Sequence, residues 1–264
     1  MFLEIFGYIS SILIGVVLGL LGGGGSISSI PILVYLFNIE PVLASAYSLF
    51  IVGTTSFVGA IPKYRQHLVN IRTGILFGIP SIITIFCTRK WIVPSIHQTI
   101  IELEYITITK RILLLGIFAV LMVLAAIPMI RGRSEITSRN RNFRFLLVIM
   151  EGVIIGFLTG LVGAGGGFLI IPALVFLTGL KFKTAVGTSL FIISINSLLG
   201  FLGDITNYTM DWPFLLMITF LAVSGILVGH YLTRYFSGIK LRKIFGWFTL
   251  VMGCYILARE LFFH

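Results

Sequence analysis

The sequence predicts an all-α integral membrane protein with two inverted repeats, each a glycine-broken helical hairpin followed by three transmembrane helices. Three observations predict this fold class. Hydrophobic residues make up 58% of the 264 positions and charged residues 11%, with a mean hydropathy of +1.09, whereas soluble domains are about 45–50% apolar and about 25% charged. The apolar pattern of the first half recurs 141 residues later. The cations also concentrate in alternate loops.

Composition also limits the partners of the chain. The formal charge of +10, from 19 Lys and Arg against 9 Asp and Glu, would suggest nucleic acid in a soluble protein. In a membrane protein it records which side the loops occupy, so the expected partner is the lipid bilayer and not nucleic acid. Cys87 and Cys254 each stand alone in an apolar run, which predicts neither a disulfide nor a thiolate metal site. No cofactor is expected.

The first repeat is predicted to cover residues 1–133. Its first apolar run, 5–37, is a hairpin interrupted by four consecutive glycines at 22–25. Three membrane helices follow at 42–61, 73–88 and 112–130, because lipid offers no hydrogen-bond partners to an exposed backbone and apolar runs of this length are therefore helical. Residues 91–108 mix apolar and polar side chains, and this pattern predicts a helix lying on the membrane surface.

The second repeat is predicted at 145–264, after a basic cytoplasmic linker at 134–144. Its hairpin, 145–178, is interrupted by a glycine cluster at 163–167, and its three helices are 184–203, 213–233 and 244–262. Paired halves are typical of secondary transporters, which bind substrate where the halves meet. Residues that recur in register include the pairs Gly19/Gly160, Pro31/Pro172, Ala44/Ala185, Ser48/Ser189, Ser56/Ser197 and Gly59/Gly200.

The positions of the cations choose between two topologies. A single straight helix of 33 residues would span about 50 Å, which exceeds the hydrocarbon core of about 30 Å. If each hairpin stretch crossed the membrane once, nine cations would face one side and ten the other; if each returned to its own side, the division is fourteen to five. The positive-inside rule therefore predicts inverted repeats in a multi-pass protein of the plasma (inner) membrane, with both termini outside the cytoplasm. Re-entrant hairpins and short full spans both remain open.

The two glycine breaks are predicted to form an anion site. A helix starts after each break, and its first N–H groups lack partners while its dipole places about half a positive charge there. Two such starts meeting inside the membrane would bind an anion without a full cation. The alternative is that the glycines only permit close helix packing. The candidate residues are Gly22, Gly23, Gly24, Gly25, Ser26, Gly163, Gly165, Gly166 and Gly167.

Polar side chains on the next helix of each half extend this candidate site. They recur at about two helical turns and therefore share one helix face. Such a face can bind an oxyanion through hydrogen bonds, or it can hold neighbouring helices together. Asn196 is the strongest single candidate, and the matched pairs are Ser48/Ser189, Thr55/Asn196 and Ser56/Ser197.

Ionisable side chains are few within the predicted spans, so no proton relay is expected. Glu151 and His230 lie near the cation-rich side, and Asp204 lies near the other. Lys63 and Arg65 end a helix at the cytoplasmic face, where they either gather anions or, as we expect, snorkel to the interface as anchors. No catalytic residue is assigned, since the histidines at 67, 97, 230 and 264 fall in loops or at helix ends.

The doubled glycine motif at 19–26 and 160–167, each copy followed by Pro31 or Pro172 and a Ser-Leu-Phe element, resembles the TauE/SafE family. These proteins are also called sulfite exporters or toluene-sulfonate uptake permeases. The resemblance covers nearly the whole chain, including Asp211-Trp212 at the start of a late helix, where the first half has Asn70-Ile71 instead. It implies a plasma-membrane transporter of sulfur-containing anions.

The expected function is therefore export of sulfite or organosulfonates by alternating access around the two breaks. Uptake, or facilitated transport of another small organic anion, is the main alternative. A membrane-embedded enzyme and a structural membrane subunit are more distant alternatives, and a homo-oligomer remains open.

Overall fold

A computed structural model describes residues 2–96, 99–103, 106–132, 141–163, 165–176 and 178–262 of the chain. Most of the predicted linker 134–144 lies outside these residues. The helices of the first half are α1 (Phe2–Leu21), α2 (Gly24–Tyr35), α3 (Pro41–Arg65), α4 (Ile71–Cys87), α5 (Val93–Ser95) and α6 (Lys110–Arg131). Those of the second half are α7 (Arg141–Val162), α8 (Gly167–Phe176), α9 (Phe182–Asp204), α10 (Trp212–Leu232) and α11 (Gly238–Phe262).

This architecture confirms the all-α membrane fold. Among the described residues, six helical segments are long and apolar enough to cross a membrane, namely Pro41–Arg65, Ile71–Ser95, Ile112–Arg131, Phe182–Asp204, Trp212–Tyr235 and Gly238–Glu260. The hairpin helices on either side of each glycine cluster are shorter apolar segments. The chain is therefore a multi-pass membrane protein.

The surface helix predicted at 91–108 is wrong. A π-helical turn, Thr88–Ile92, carries α4 into the short α5, and two antiparallel strands follow, β1 (Thr99–Leu103) and β2 (Ile106–Thr109). The strands consist largely of Thr and Ile, whose branched Cβ atoms favour extended backbone over helix. This local preference prevailed over the amphipathic pattern that suggested a helix.

The packing pairs elements of one half with elements of the other. Helix α3 packs on α9, α2 on α8, and α6 on α11, while α1 lies against α10 and α7 against α4. The 141-residue shift relates α1 to α7 and α4 to α10. The two halves thus make equivalent contacts with each other: the first helix of each broken hairpin packs against a long helix of the other half.

Asn70 and Asp211 cap equivalent helices. The Oδ1 atom of Asn70 accepts from the backbone N–H of Thr73 at 3.1 Å, and Oδ1 of Asp211 accepts from that of Phe214 at 3.2 Å. Both bonds satisfy an N–H that has no partner inside its helix. The residue that opens α4 in one half and α10 in the other therefore has a structural task that either an amide or a carboxylate performs.

Candidate functional site

The two glycine breaks meet at the centre of the molecule. A Cβ atom built on Gly167 would lie 2.6 Å from the Cα of Gly23, so the backbones of the two breaks are in direct contact. Positive φ angles of 72° at Gly22 and 77° at Gly163 turn the chain at each break, a conformation that glycine adopts without steric cost. The N-termini of α2 and α8 are consequently brought together.

Gly22, Gly24 and Gly25 of the first break lie against side chains of neighbouring helices. A Cβ on Gly22 would meet Val186, and one on Gly24 would meet Val17 and Leu21. One on Gly25 would overlap Leu18 of α1. These three glycines therefore allow close packing, as the alternative interpretation of the clusters requires.

The serine hydroxyls after the first break turn back onto their own helix. Ser26 Oγ donates to the carbonyl of Gly23 at 2.6 Å, and Ser28 Oγ donates to that of Gly24 at 3.1 Å. Ser29 Oγ bonds to the carbonyl of Ser26 and also lies 2.6 Å from Ser48 Oγ on α3. The Ser26 and Ser28 hydroxyls are thus occupied within the first break and α2, and the Ser29 hydroxyl joins α2 to α3.

Buried hydroxyls at the second break and on α3 have unused hydrogen-bonding capacity. A Cβ on Gly165 would lie 2.8 Å from Ser197 Oγ, and one on Gly166 would overlap Thr159. Within the described chain, Ser197 Oγ, Thr159 Oγ1, Thr55 Oγ1 and Ser56 Oγ are buried without a hydrogen-bond partner. A buried hydroxyl without a partner costs about 1–3 kcal/mol, which a bound ligand or water can offset.

Asn196 and Ser189 already have hydrogen-bond partners. Asn196 Nδ2 donates to Ser81 Oγ on α4 at 2.7 Å, and Ser189 Oγ donates to the carbonyl of Val186 at 2.8 Å. Of the polar face predicted on α9, Ser197 lies beside the second break, whereas Asn196 joins α9 to α4. The Oδ1 atom of Asn196 finds no hydrogen-bond partner among the described residues.

Arg89 lies at the site, although it follows directly after the membrane span predicted at 73–88. Its side chain is fully buried, and a Cβ on Gly163 would overlap its Nη2 atom, so the guanidinium lies against the second break. Nη2 donates to Ser45 Oγ at 2.8 Å, and Nε lies 3.2 Å from Asp204 Oδ2 without hydrogen-bond alignment. Nη1 has no partner in the part of the chain that is described.

The π-helical turn explains why the sequence pattern did not indicate Arg89. Because this turn widens and prolongs the last turn of α4, Arg89 stays on the helix and faces α9 instead of entering a loop. A signal was present in Asp204, since a carboxylate at the end of an apolar span requires a cation or a hydrogen-bond donor nearby.

Further ionisable groups surround the Arg89–Asp204 pair. Lys110 Nζ donates to the carbonyl of Val93 at 2.7 Å. Burial lowers the pKa of Lys110, Glu40 opposes this shift and Arg89 adds to it. Burial also raises the pKa of Tyr208, and the negative charge of Asp204 raises it further. Charges of both signs therefore interact at this end of the second break.

The equivalent positions at the other end of the paired breaks are basic. The 141-residue shift relates Arg89 to His230 and Asp204 to Lys63. Lys63 is only 2% exposed, so its predicted role as a snorkelling anchor is wrong, while Arg65 is exposed. Lys63 is enclosed because Gly187 lets α9 approach until a Cβ there would lie 3.3 Å from the Cβ of Lys63. One end therefore holds an ion pair and the other two basic side chains.

The described residues contain no group of three His, Cys, Asp or Glu side chains that could hold a metal ion. The polar groups at the breaks are instead backbone amides, hydroxyls and the guanidinium of Arg89, which can donate hydrogen bonds, together with the carboxylate of Asp204, which accepts them. Such a donor set matches an oxyanion, whose oxygens accept.

Comparisons with known proteins show which family this chain resembles. The family model described as "Sulfite exporter TauE/SafE" matches residues 8–256. A probable membrane transporter protein of Xylella fastidiosa strain 9a5c is 29% identical over 255 residues, covering 94% of this chain and 92% of the relative. The probable membrane transporter protein MJ0441 of Methanocaldococcus jannaschii is 25% identical and covers 93% of this chain and 94% of its own.

YdhB of Bacillus subtilis, also a probable membrane transporter protein, is 24% identical and covers 93% of this chain and 96% of its own. No solved structure matches the sequence. The match of one family model to nearly the whole chain, on a fold of apolar membrane helices, places this membrane transporter in the TauE/SafE family.

Proposed function

We propose that the protein exports a small sulfur oxyanion, sulfite or an organosulfonate, across the plasma membrane. The observation that carries the proposal is the fully buried guanidinium of Arg89, which lies against the second glycine break with Nη1 unpartnered among the described residues. A guanidinium presents a planar set of donors that suits sulfite and sulfonate oxygens as it suits carboxylate and phosphate. The two helix N-termini at the breaks add positive potential without adding a full charge.

The transport step follows from the contact between the breaks. Gly23 and Gly167 touch, so an anion reaches the site only when the two hairpins move apart. The incoming oxyanion then accepts hydrogen bonds from Arg89 in competition with Asp204 and from the Ser197 hydroxyl. Release on the far side restores the Arg89–Asp204 pair. This exchange is an alternating-access cycle around a central site, as in other transporters built of repeats.

The direction follows from the membrane potential. With the cation-rich loops in the cytoplasm and both termini outside, an inside-negative potential favours export of an anion by about 2.3 kcal/mol per charge per 100 mV. The buried Lys63 and the partly buried His230 would then lie at the cytoplasmic end, where Lys63 attracts the anion before transport.

Flux in proteoliposomes tests the proposal. We expect purified protein to carry radiolabelled sulfite or a taurine-derived sulfonate, and an imposed potential to accelerate flux toward the positive side. Gly165→Leu should abolish flux, because its side chain would enter the space beside Ser197 and Val52 at a φ of 67°. Gly78→Leu is the matched control, since nothing lies within 4 Å of a Cβ atom added there.

Two results would contradict the proposal. One is the absence of flux for every sulfur oxyanion and small carboxylate in the panel. The other is equal flux through the Gly165→Leu and Gly78→Leu variants, which would leave the glycines with a packing role only. Flux of carboxylates in preference to sulfite would replace the substrate while keeping the site.

A further inference from the structure

A cavity with a basic lining lies on the cation-rich side, away from the glycine breaks. Its volume is about 470 Å³, and it opens between the segment that precedes α9 and the start of α11. Lys181, Lys183 and Arg242 contribute to its wall, and no acidic side chain is among the described residues that line it. The cavity is within the size range of about 300–1,000 Å³ that is usual for small-molecule sites.

Two long helices begin at this cavity. Helix α9 starts at Phe182 without a side-chain cap on its free N–H groups, and α11 starts at Gly238, where the Ser237 hydroxyl is 3.4 Å from the N–H of Lys240. Both helix starts line the cavity. Their dipoles add positive potential to that of the three cations.

A fourth cation, Lys63, is buried and is joined through its backbone to a residue of the cavity wall. Lys63 is 2% exposed, and its carbonyl accepts from the N–H of Leu68, which lines the cavity. Lys63 also packs against the first turns of α9, which carry Lys183, since a Cβ on Gly187 would lie 3.3 Å from the Cβ of Lys63. Like charges gathered around a cavity without an acid repel one another, and the burial of Lys63 strengthens the repulsion. A bound anion would offset it.

We propose that this cavity binds a phosphate-type oxyanion. The donor set of two ammonium groups, a guanidinium, two hydroxyls and free backbone N–H groups matches the oxygens of such an anion. Two sources supply this chemistry on the cytoplasmic side: the head group of an acidic phospholipid, and a free inorganic anion. Basic pockets between membrane helices on that side bind acidic lipid head groups. The proposal does not depend on which substrate the breaks carry.

The test compares two triple variants that remove the same charge. Lys181→Gln/Lys183→Gln/Arg242→Gln removes the cavity cations, and Arg234→Gln/Lys240→Gln/Lys243→Gln removes three exposed cations of the same region that do not line it. Delipidated protein in neutral detergent is titrated with phosphatidylglycerol, with phosphatidylcholine, and separately with inorganic phosphate. Bound lipid is counted by native mass spectrometry, and phosphate binding is followed by the shift in melting temperature.

We expect the cavity variant to bind about a hundredfold more weakly than the unmodified chain, and the control variant to stay within about threefold. Phosphatidylglycerol binding without a phosphate response identifies the lipid head group as the ligand. A saturable phosphate response identifies the free anion. Equal losses in the two triple variants, equal binding of phosphatidylcholine, or no binding of either anionic probe would each overturn the proposal.

Discussion

Arg89 and Asp204 bury opposite charges side by side at the second glycine break, and both side chains are fully inaccessible to solvent. Removing such charges from water costs several kcal/mol per ion, which mutual attraction repays only when the remaining hydrogen bonds are made. Here Arg89 Nη1 and Asp204 Oδ1 have no partner among the described residues. The pair is therefore poorly explained by stability alone, and the proposed oxyanion would accept a hydrogen bond from the open Arg89 donor.

Removing one charge of this pair should be more harmful than removing both. Asp204→Asn leaves a buried guanidinium uncompensated, and we expect it to lower the free energy of unfolding by about 3–5 kcal/mol. Arg89→Met/Asp204→Leu should be as stable as the unmodified chain, yet fail to bind sulfite. Unfolding in mixed detergent micelles and equilibrium binding measure the two effects. Lys90→Gln, at the exposed neighbouring position, is the control, and a comparable loss there would refute the special role of the buried pair.

The sequence identified the glycines and hydroxyls of the candidate site but not its cation. Glycine clusters at matching positions can be recognised in the sequence, and so can the matched serines Ser56 and Ser197. The inward direction of Arg89 depends on a π-helical turn, which the hydrophobic periodicity of the sequence does not predict. The sequence made Asn196 a candidate because it shares a helix face with the other polar residues. In the structure, however, Asn196 contacts Ser81 on α4, while its neighbour Ser197 lies beside Gly165 of the second break.

At the scale of elements, the hairpins depend on glycine because two backbones touch. A Cβ on Gly23 would overlap the carbonyl of Gly167, and one on Gly167 would overlap Gly23. Other glycines of these helices serve ordinary helix packing, as at Gly25, which lets α2 lie close to Leu18 of α1. The contact between the breaks is thus a specific requirement of the pair of hairpins, in addition to the general advantage of small residues in membranes.

A double-mutant cycle should detect this contact. Gly23→Ala and Gly167→Ala should each lower the free energy of unfolding by about 1–3 kcal/mol, because an added methyl group has no space. Their combination should cost less than the sum, since the first Cβ already separates the backbones. Gly116→Ala, where nothing lies within 4 Å of the new atom, should be neutral or stabilising by up to about 1 kcal/mol. Strict additivity of the two break variants would contradict the contact.

At the scale of the whole molecule, the exchange of contacts between the halves follows from duplication. The helices were predictable because long apolar runs have few alternatives in a membrane. The pairing of α1 with α10 and of α7 with α4 was not predictable, because it depends on which small residues face each other. At Gly15 and Gly225, for example, an added Cβ atom would overlap the backbone of the facing helix. The packing does not define the orientation of each half in the bilayer, and the distribution of cations predicts it.

Gln66 and Asn207 provide a direct test of that orientation. The 141-residue shift relates them, both are exposed, and they follow the equivalent helices α3 and α9. In inverted repeats they lie on opposite sides of the membrane, and in parallel repeats on the same side. In a variant without Cys87 and Cys254, we expect a membrane-impermeant maleimide to label Asn207→Cys in intact cells and Gln66→Cys only after permeabilisation, because the positive-inside rule predicts that the cation-rich loops face the cytoplasm. Labelling of both positions in intact cells would mean parallel repeats, and labelling of Gln66→Cys alone would mean that the inverted repeats are inserted in the opposite orientation, against the fourteen-to-five distribution of cations.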